Sequence, residues 1–358
     1  MGMNCSRCDI LQSESQNEVT RNSIKQRNDK HCSISYISND LSSFIKDEKK
    51  IITIQRKIRQ YLNHNQSNRS HIPNMSLEKL HPGTLVSKTK NELTTSPNKS
   101  NVNYVENYQI NDFALYTGEM VDGLPHGKGV QIWKDNAKYE GEWKFGKANG
   151  YGIFYHVDGD IYKGMWKDDK ANGEGTYISV DGVNYDGNWK DDFQNGYGVE
   201  TWKDGSKYKG NYIMGKKQGY GEYTWNDGSK YAGNWANNYH EGYGTYIWPD
   251  NKSYTGYFKR NIMEGEGHYK WPDGREYIGE FSKGKKNGIG KYIWKDGRSY
   301  IGYWANGKQH GLGLYTDESN NKHFGIWVNG KRTRWFTEED IDEIKEDDCY
   351  KRIINYIK

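Results

Sequence analysis

Residues 208–235 read YKGNYIMGKKQGYGEYTWNDGSKYAGNW, and this stretch contains the pattern that decides the fold. Its first tyrosine, Tyr208, recurs 23 residues later at Tyr231, and a glycine follows two residues after each. The tyrosines in this register are Tyr116, Tyr139, Tyr162, Tyr185, Tyr208, Tyr231, Tyr254, Tyr277 and Tyr300. Such a fixed period predicts a repeat architecture in which neighbouring repeats bury their side chains against one another.

Each period has the spacing of a β-hairpin. Tyr208, Gly210 and Tyr212 alternate with a period of two, which places two rings and a glycine on one face of a strand. The run 219–225 repeats this on a return strand, and the polar segment 214–218 is the predicted hairpin loop. We expect the glycines to leave space for rings that lie on bare backbone. About twenty strands, each about 4.8 Å wide, predict a mainly β, elongated single-sheet meander of about ten hairpins, about 95 Å long.

The pattern Y-x-G-x-W-x-x-G-x-x-x-G-x-G runs from 116 to about 330 and resembles the MORN (membrane occupation and recognition nexus) repeat. The resemblance implies a non-enzymatic scaffold that holds partner helices or dimerises, and similar proteins have been proposed to bind phosphoinositide headgroups. Four repeats replace the glycine seven residues in: Asp169, Asp192, Asn238 and Asn261. Because Asn and Asp tolerate the left-handed backbone region, we expect these loops to persist. The last repeat, from His323, is degenerate and is the expected end cap.

Composition narrows the function classes. The net charge is +4 from 51 basic and 47 acidic side chains, so no nucleic acid partner is expected. The four cysteines are too few and too scattered for a disulfide framework, which favours a reducing, cytosolic compartment. No apolar run approaches the roughly 20 residues that span a bilayer, and the amino terminus lacks a signal-peptide core. We therefore expect a chain that neither crosses a membrane nor is secreted.

The repeats contain no pattern typical of catalysis. G-x-G recurs in nine repeats, so its likeness to a phosphate-binding loop is a by-product of the period. Paired carboxylates such as Asp168 and Asp169 fall in predicted hairpin loops. The histidines of the repeats, interpreted as solvated loop residues, are His126, His156, His240, His268 and His310. The sequence predicts no enzyme, no cofactor and no metal site.

The sheet face opposite the rings carries the predicted binding positions. The middle residue of G-x-G is apolar in six repeats: Tyr151, Tyr197, Tyr220, Tyr243, Ile289 and Leu312. This face is too apolar for contact with water alone. Two interpretations stay open: a flanking segment or the twisted sheet packs on it, or its tyrosines form a groove for a partner peptide or helix.

Two lysine pairs at hairpin tips are candidate headgroup contacts: Lys216 with Lys217, and Lys285 with Lys286. The region 116–330 carries equal numbers of basic and acidic side chains, which makes it a weak electrostatic binder of anionic lipid. We therefore expect membrane attachment to come from another part of the chain.

The amino terminus, MGMNCSRC, carries that attachment signal. Gly2 and Ser6 have the spacing of an N-myristoylation signal, and Cys5 and Cys8 lie where S-palmitoylation commonly follows. One acyl chain binds a bilayer marginally, and a second makes the anchoring stable. The sequence predicts a location on the cytoplasmic face of a membrane, at the plasma membrane or the cortical or ciliary cytoskeleton.

The stretch 38–66 has apolar side chains at helical spacing. Within it, Ile54, Gln55 and Arg59 resemble the first half of an IQ motif, the helix bound by calmodulin and myosin light chains. Three interpretations stay open: a calmodulin-like partner, a basic helix on anionic lipid, and a helix packed on the apolar face of the repeats. The polar stretch that follows reads as a flexible linker.

The C-terminal stretch TEEDIDEIKEDDCYKRIINYIK begins with Thr337 as an N-cap and ends in basic residues, as a helix dipole favours. It predicts one helix that covers the open edge of the last hairpin, or alternatively a dimerisation element. The predicted segments are 1–36 (acylated, disordered), 37–64 (amphipathic helix), 65–103 (linker), 104–336 (repeats) and 337–358 (helix).

The predicted function is a membrane-tethered MORN-repeat scaffold that binds protein partners along its sheet. Two alternatives stay open. In the first, the chain is a regulatory or targeting partner of a phosphoinositide kinase, because similar repeats occur fused to such kinases. In the second, the IQ-like helix makes the chain a calmodulin-responsive adaptor.

Overall fold

The computed structural model describes residues 102–357, which divide into an N-terminal unit (102–203) and a C-terminal unit (204–357). The strands of the N-terminal unit are β1 (Asn103–Asn111), β2 (Ala114–Val121), β3 (Leu124–Trp133), β4 (Lys138–Lys144), β5 (Lys147–Tyr155), β6 (Ile161–Lys167), β7 (Lys170–Ile178), β8 (Asn184–Lys190) and β9 (Phe193–Thr201). The predicted segments 1–36 and 37–64 and the linker up to 101 lie outside the described residues.

The C-terminal unit contains twelve strands and two helices. They are β10 (Lys207–Ile213), β11 (Lys216–Thr224), β12 (Lys230–Ala236), β13 (Tyr239–Ile247), β14 (Ser253–Lys259), β15 (Ile262–Lys270), β16 (Glu276–Ser282), β17 (Lys285–Ile293), β18 (Ser299–Ala305), β19 (Lys308–Thr316), β20 (Lys322–Val328), β21 (Lys331–Trp335), α1 (Glu338–Ile344) and α2 (Asp348–Ile357).

Within each unit, every strand pairs antiparallel with the next strand of the sequence. The prediction of a mainly β meander of hairpins is therefore confirmed. Strand β1 precedes the first repeat tyrosine, Tyr116, and pairs with β2, so the meander begins one strand before the repeats.

The repeat tyrosines lie on glycine backbone, as predicted. Tyr208 is fully buried, and its hydroxyl donates to the carbonyl oxygen of Asn211 over 3.2 Å. A Cβ added to Gly221 would lie 2.4 Å from this hydroxyl, so the ring fills the space that any side chain would need. We name this side of each unit, with its tyrosines and glycines, the ring face.

Tryptophan rings connect successive repeats on the ring face. Trp235 lies edge-on between Tyr208 and Tyr231, with centroid distances of 5.4 and 5.2 Å. Its indole nitrogen donates to the carbonyl oxygen of Gly221 over 3.1 Å. The ring thus packs against two repeats at once, which makes each repeat depend on its neighbour.

The hairpin loops are shorter than the predicted segment 214–218. Ile213 pairs with Lys216, which leaves Met214 and Gly215 as a two-residue turn with φ values of 50° and 77°. Two successive positive φ values are typical of a type I′ turn, whose twist matches that of the flanking strands. The second half of the predicted loop therefore belongs to strand β11.

Asp and Asn keep the left-handed conformation at the second turn position, as expected. Asp192 has a φ of 70° and Asn238 a φ of 69°. These side chains also bond across repeats, because Asp192 Oδ1 accepts from the backbone nitrogen of Ala171 (2.8 Å) while its own nitrogen donates to the Ala171 carbonyl (3.0 Å). The Asp and Asn residues that replace glycine therefore add a hydrogen bond between successive hairpins.

The C-terminal stretch forms two helices instead of the single predicted one. Thr337 caps α1 as expected, in a capping box with Asp340. The chain then breaks because Asp347 caps a new helix, its Oδ1 accepting from the Cys349 nitrogen over 2.7 Å.

Both helices lie on the face opposite the rings rather than along the edge strand β21. Ile344, Cys349 and Ile353 pack in one buried cluster with residues of β17 to β20, which are Ile289, Ile301, Leu312, Leu314 and Ile326. The helix residues match this row of aliphatic side chains, which explains their position on the face. The exposed edge strand instead carries Lys331, Arg332 and Arg334, charges that discourage pairing with another strand.

Among residues 102–357, no helix is long and apolar enough to cross a membrane. The same residues contain no group of three or more potential metal ligands.

Candidate partner-binding surface

The middle residue of G-x-G points away from the ring face, to a side that we name the outer face. In the C-terminal unit, Tyr220 is 57% exposed, Tyr243 52% and Tyr257 51%. We name these three residues the tyrosine surface. Tyr243 and Tyr257 are cross-strand partners on β13 and β14, and their rings meet edge-on at 5.5 Å.

The tyrosine surface is supported by ordered strands. The side-chain nitrogen of Asn234, opposite Tyr220, donates to the Tyr243 carbonyl over 3.3 Å. In the adjacent row the hydroxyl oxygens of Thr245 and Thr255 are 3.0 Å apart. Because the strand backbones are paired with one another, the surface offers rings and hydroxyl groups to a partner's side chains rather than a free strand edge.

The same row of the outer face continues under the C-terminal helices. Ile289 and Leu312 are only 7% and 3% exposed, because α1 and α2 cover them. Of the two interpretations of this face, packing by a flanking segment therefore holds at β17 to β20. In the N-terminal unit, Tyr151 and Tyr197 are exposed at the equivalent register.

Two exposed side chains of this face were missed from the sequence. Tyr257 and Met165 stand three residues after a repeat tyrosine, a register that the G-x-G count leaves out. Each is the cross-strand partner of a predicted residue, Tyr257 of Tyr243 and Met165 of Tyr151. Antiparallel pairing would have found them, since residues directly opposite share a face.

The sequence profile of the MORN repeat matches nine consecutive segments of the chain. They are 116–138, 139–161, 162–183, 185–207, 208–230, 231–253, 254–274, 277–297 and 300–322, more than half of the sequence. The chain belongs to the MORN repeat family. MORN repeats are repeat scaffolds that bind other molecules, and the hairpins described above are these repeats.

Other comparisons add only partial likenesses. No curated protein matches the chain. The TCP10 domain of Danio rerio CPAP is 12% identical, over 57% of this chain and 98% of that one, with a TM-score of 0.33. The TCP domain of Drosophila melanogaster SAS-4, solved with a proline-rich motif of Ana2, is 11% identical, over 57% of this chain and 99% of that one, with a TM-score of 0.29.

One lysine of each predicted headgroup pair lies on the ring face of its MORN repeat. Lys217 is buried, with its Nζ 5.1 Å from the ring centre of Tyr208. Lys286 Nζ lies 4.6 Å from the ring centre of Tyr292 and 4.4 Å from that of Trp304. A headgroup contact from the hairpin tip does not fit Lys217 or Lys286, because the two-residue turns make them strand residues with inward side chains. Lys216 and Lys285 are exposed.

Two histidines of the MORN repeats are buried, which corrects their interpretation as solvated loop residues. His156 and His240 are each 7% exposed. His240 occupies the register of Lys217 and stacks on Tyr231 with centroids 3.7 Å apart. Burial among aromatic rings lowers the pKa of His240 to about 3, so its imidazole is neutral at physiological pH.

Proposed function

We propose that this MORN protein is a non-enzymatic scaffold, held on the cytoplasmic face of a membrane by its acylated amino terminus, whose tyrosine surface binds an amphipathic helix of a partner protein. The observation that supports the docking mode is the position of α2, which lies on the outer face of the same unit. The chain's own helix on this face supports a helix as the ligand.

The contacts of α2 support a docking mode for a partner helix on the adjacent surface. Its Tyr356 hydroxyl donates to the Ile278 carbonyl over 2.7 Å, and Arg352 meets the carboxylate of Glu280 at 3.3 Å. Glu266 pairs with Glu280 across the strands and lies on β15, next to the strand that carries Tyr257. A partner helix with a basic residue above Glu266 would then lay its apolar side on Tyr257, Tyr243 and Tyr220.

Exposed tyrosines are suited to this role for energetic reasons. A tyrosine ring offers large apolar area with only two side-chain torsions to order, and its hydroxyl can bond to a partner. Tyrosines are accordingly enriched among the residues that dominate binding energy. A regulatory role beside a phosphoinositide kinase would use the same surface, whereas calmodulin binding would depend on Ile54, Gln55 and Arg59, outside the described residues.

The first test removes the tyrosine surface. We expect Tyr220→Ser/Tyr243→Ser to weaken capture of the partner by at least about tenfold, because two central aromatic contacts are lost. The measurement is quantitative mass spectrometry of proteins crosslinked to the tagged full chain in cells, followed by titration of the captured partner's helix against purified protein.

The matched control is Tyr239→Ser, which removes an exposed tyrosine of β13 outside the tyrosine surface. It should leave capture and helix affinity unchanged. Since the substituted tyrosines are exposed, all variants should unfold at the same urea concentration as the wild type. Equal helix affinity of the double variant and the control would show that the tyrosine surface is not the docking site.

The second test concerns the tether. Gly2→Ala, and separately Cys5→Ser/Cys8→Ser, should move the protein from the membrane pellet to the soluble fraction, because one acyl chain or none anchors only marginally. Myristate and palmitate labelling of the same samples identifies the modification. Unlabelled protein that pellets in every variant would refute the acyl tether and leave attachment to the repeats or a bound partner.

A further inference from the structure

The outer face of the N-terminal unit carries an apolar stripe that the C-terminal unit lacks. Five of six successive positions across β2 to β7 are apolar: Leu115, Ile132, Tyr155, Ile161 and Ile178. They are contiguous, because each pairs with the next position across the strands. We name these five residues the apolar stripe. It spans about 24 Å at about 4.8 Å per strand.

The one polar position does not interrupt the stripe. Lys138 lies between Ile132 and Tyr155, and its Nζ rests 4.4 Å from the centre of the Tyr155 ring while pairing with Glu140 at 3.0 Å. Its charge is thus neutralised at the side of the stripe. Leu115, Ile132 and Ile178 remain 44–45% exposed, a large fraction for aliphatic side chains in one row.

The equivalent row of the C-terminal unit is mostly polar. Across β10 to β16 it contains one apolar residue, Ile247, and six polar ones, which are Lys207, Thr224, Lys230, Ser253, Lys270 and Glu276. The apolar stripe is therefore not a by-product of the MORN pattern, which leaves this register free. Where aliphatic residues do accumulate on the outer face of the C-terminal unit, at β17 to β20, the isoleucines of α1 and α2 cover them.

We propose that the segment 41–62 of this chain docks as an amphipathic helix on the apolar stripe. Its sequence, LSSFIKDEKKIITIQRKIRQYL, repeats the device seen at the carboxyl end, with isoleucines, leucines and a tyrosine at helical spacing. A helix of this length is about 33 Å long, enough to cross the stripe. Each end of the chain then covers aliphatic side chains of the nearer unit.

The charge of segment 41–62 and the length of chain between it and β1 both agree with docking on the apolar stripe. The segment carries six basic and two acidic side chains. The adjacent row of the outer face carries one charge of each sign, Glu140 and Lys163. The row beyond it presents Glu119, Glu142 and Glu174 against a single lysine, Lys128. The stretch between the segment and β1 has about 40 residues, whose root-mean-square reach as a flexible chain is about 35 Å. A docked helix would also hold Ile54 and Ile58 away from calmodulin and lipid.

The test is photocrosslinking in the full-length protein. With p-benzoylphenylalanine in place of Ile132, irradiation of the dilute monomer should join this position to peptides from 41–62, identified by mass spectrometry. Ile54→Asp/Ile58→Asp should lower the yield at least about tenfold, because two charges would be buried on the stripe. A probe at Ile213, exposed on β10, should give no such product.

Because the probe replaces a stripe residue, hydrogen exchange supplies a second measurement. Amides of 41–62 should exchange slowly in the wild type and at least about tenfold faster in Leu115→Lys/Ile178→Lys. No crosslink, a crosslink only to a second copy, or a yield unaffected by the aspartates would overturn the proposal. The tyrosine surface contains none of these residues, so partner capture that is unchanged in Tyr220→Ser/Tyr243→Ser, with docking of 41–62 intact, would instead refute only the proposed function.

Discussion

The substitution Gly244→Ala is expected to destabilise the C-terminal unit by about 3 kcal/mol, although it adds a single methyl group. A Cβ at this position would lie 2.5 Å from the Tyr231 hydroxyl oxygen and 2.8 Å from two ring carbons. Tyr231 is buried and bonds to the Asn234 carbonyl over 2.8 Å, so it cannot move away without losing that bond and exposing its ring. Its shift would also disturb the stacked His240.

The control is Gly228→Ala, in the turn before the same repeat. Gly228 has a φ of 88°, and no atom lies within 4 Å of an added Cβ. The substitution Gly228→Ala should lower the free energy of unfolding by only about 1 kcal/mol, from backbone strain alone. Urea unfolding followed by far-ultraviolet circular dichroism measures both variants.

A double-mutant cycle with Tyr231→Phe tests the contact, because removal of the hydroxyl should recover part of the Gly244→Ala loss. Equal losses in the two glycine variants would contradict the packing explanation.

The stability of the C-terminal unit is expected to fall by about 2 kcal/mol between pH 7 and pH 5 through His240 alone. The pKa of His240 is about 3 in the folded protein and about 6.5 in an unfolded chain. Between these values the unfolded chain binds a proton that the folded chain does not, so acidification favours unfolding. Above pH 7 both states are neutral at this residue, and the contribution is constant.

The variant His240→Met should flatten this pH dependence, because methionine already occupies the same register at Met263. Chemical denaturation at a series of pH values gives the slope, which should decrease by up to one proton in the variant. Gln309→Met is the matched control, since it places methionine in this register without removing a titratable group. An unchanged slope in His240→Met would show that folding does not lower the pKa of this imidazole.

The amino-acid sequence by itself determined the repeat and its chemistry on the ring face. Tyr208, Gly210 and Gly221 could be assigned to one face because alternation and the 23-residue step are properties of the sequence alone. The left-handed turns at Asp192 and Asn238 followed for the same reason, since residue type limits the backbone locally. These features depend on residues that are close in sequence, and they recur in each repeat.

The inward direction of Lys217 and His240 was decided by turn length. Local composition marked 214–218 as a loop, but pairing of Ile213 with Lys216 shortened it to two residues and extended the strand. Lys217 then lies on the same face of β11 as Gly221, which is the ring face. Hydrogen bonding between strands, which composition does not report, selects the turn.

The cover of the outer face was decided only by the tertiary structure. The isoleucines of the carboxyl end predicted a helix, but its position depends on which surface holds matching aliphatic side chains, and those of β17 to β20 come from several repeats. For the same reason, the tyrosine surface is exposed whereas the part of the outer face over β17 to β20 is covered by α1 and α2. Helices and hairpins form from neighbouring residues, whereas burial depends on side chains brought together from distant parts of the chain.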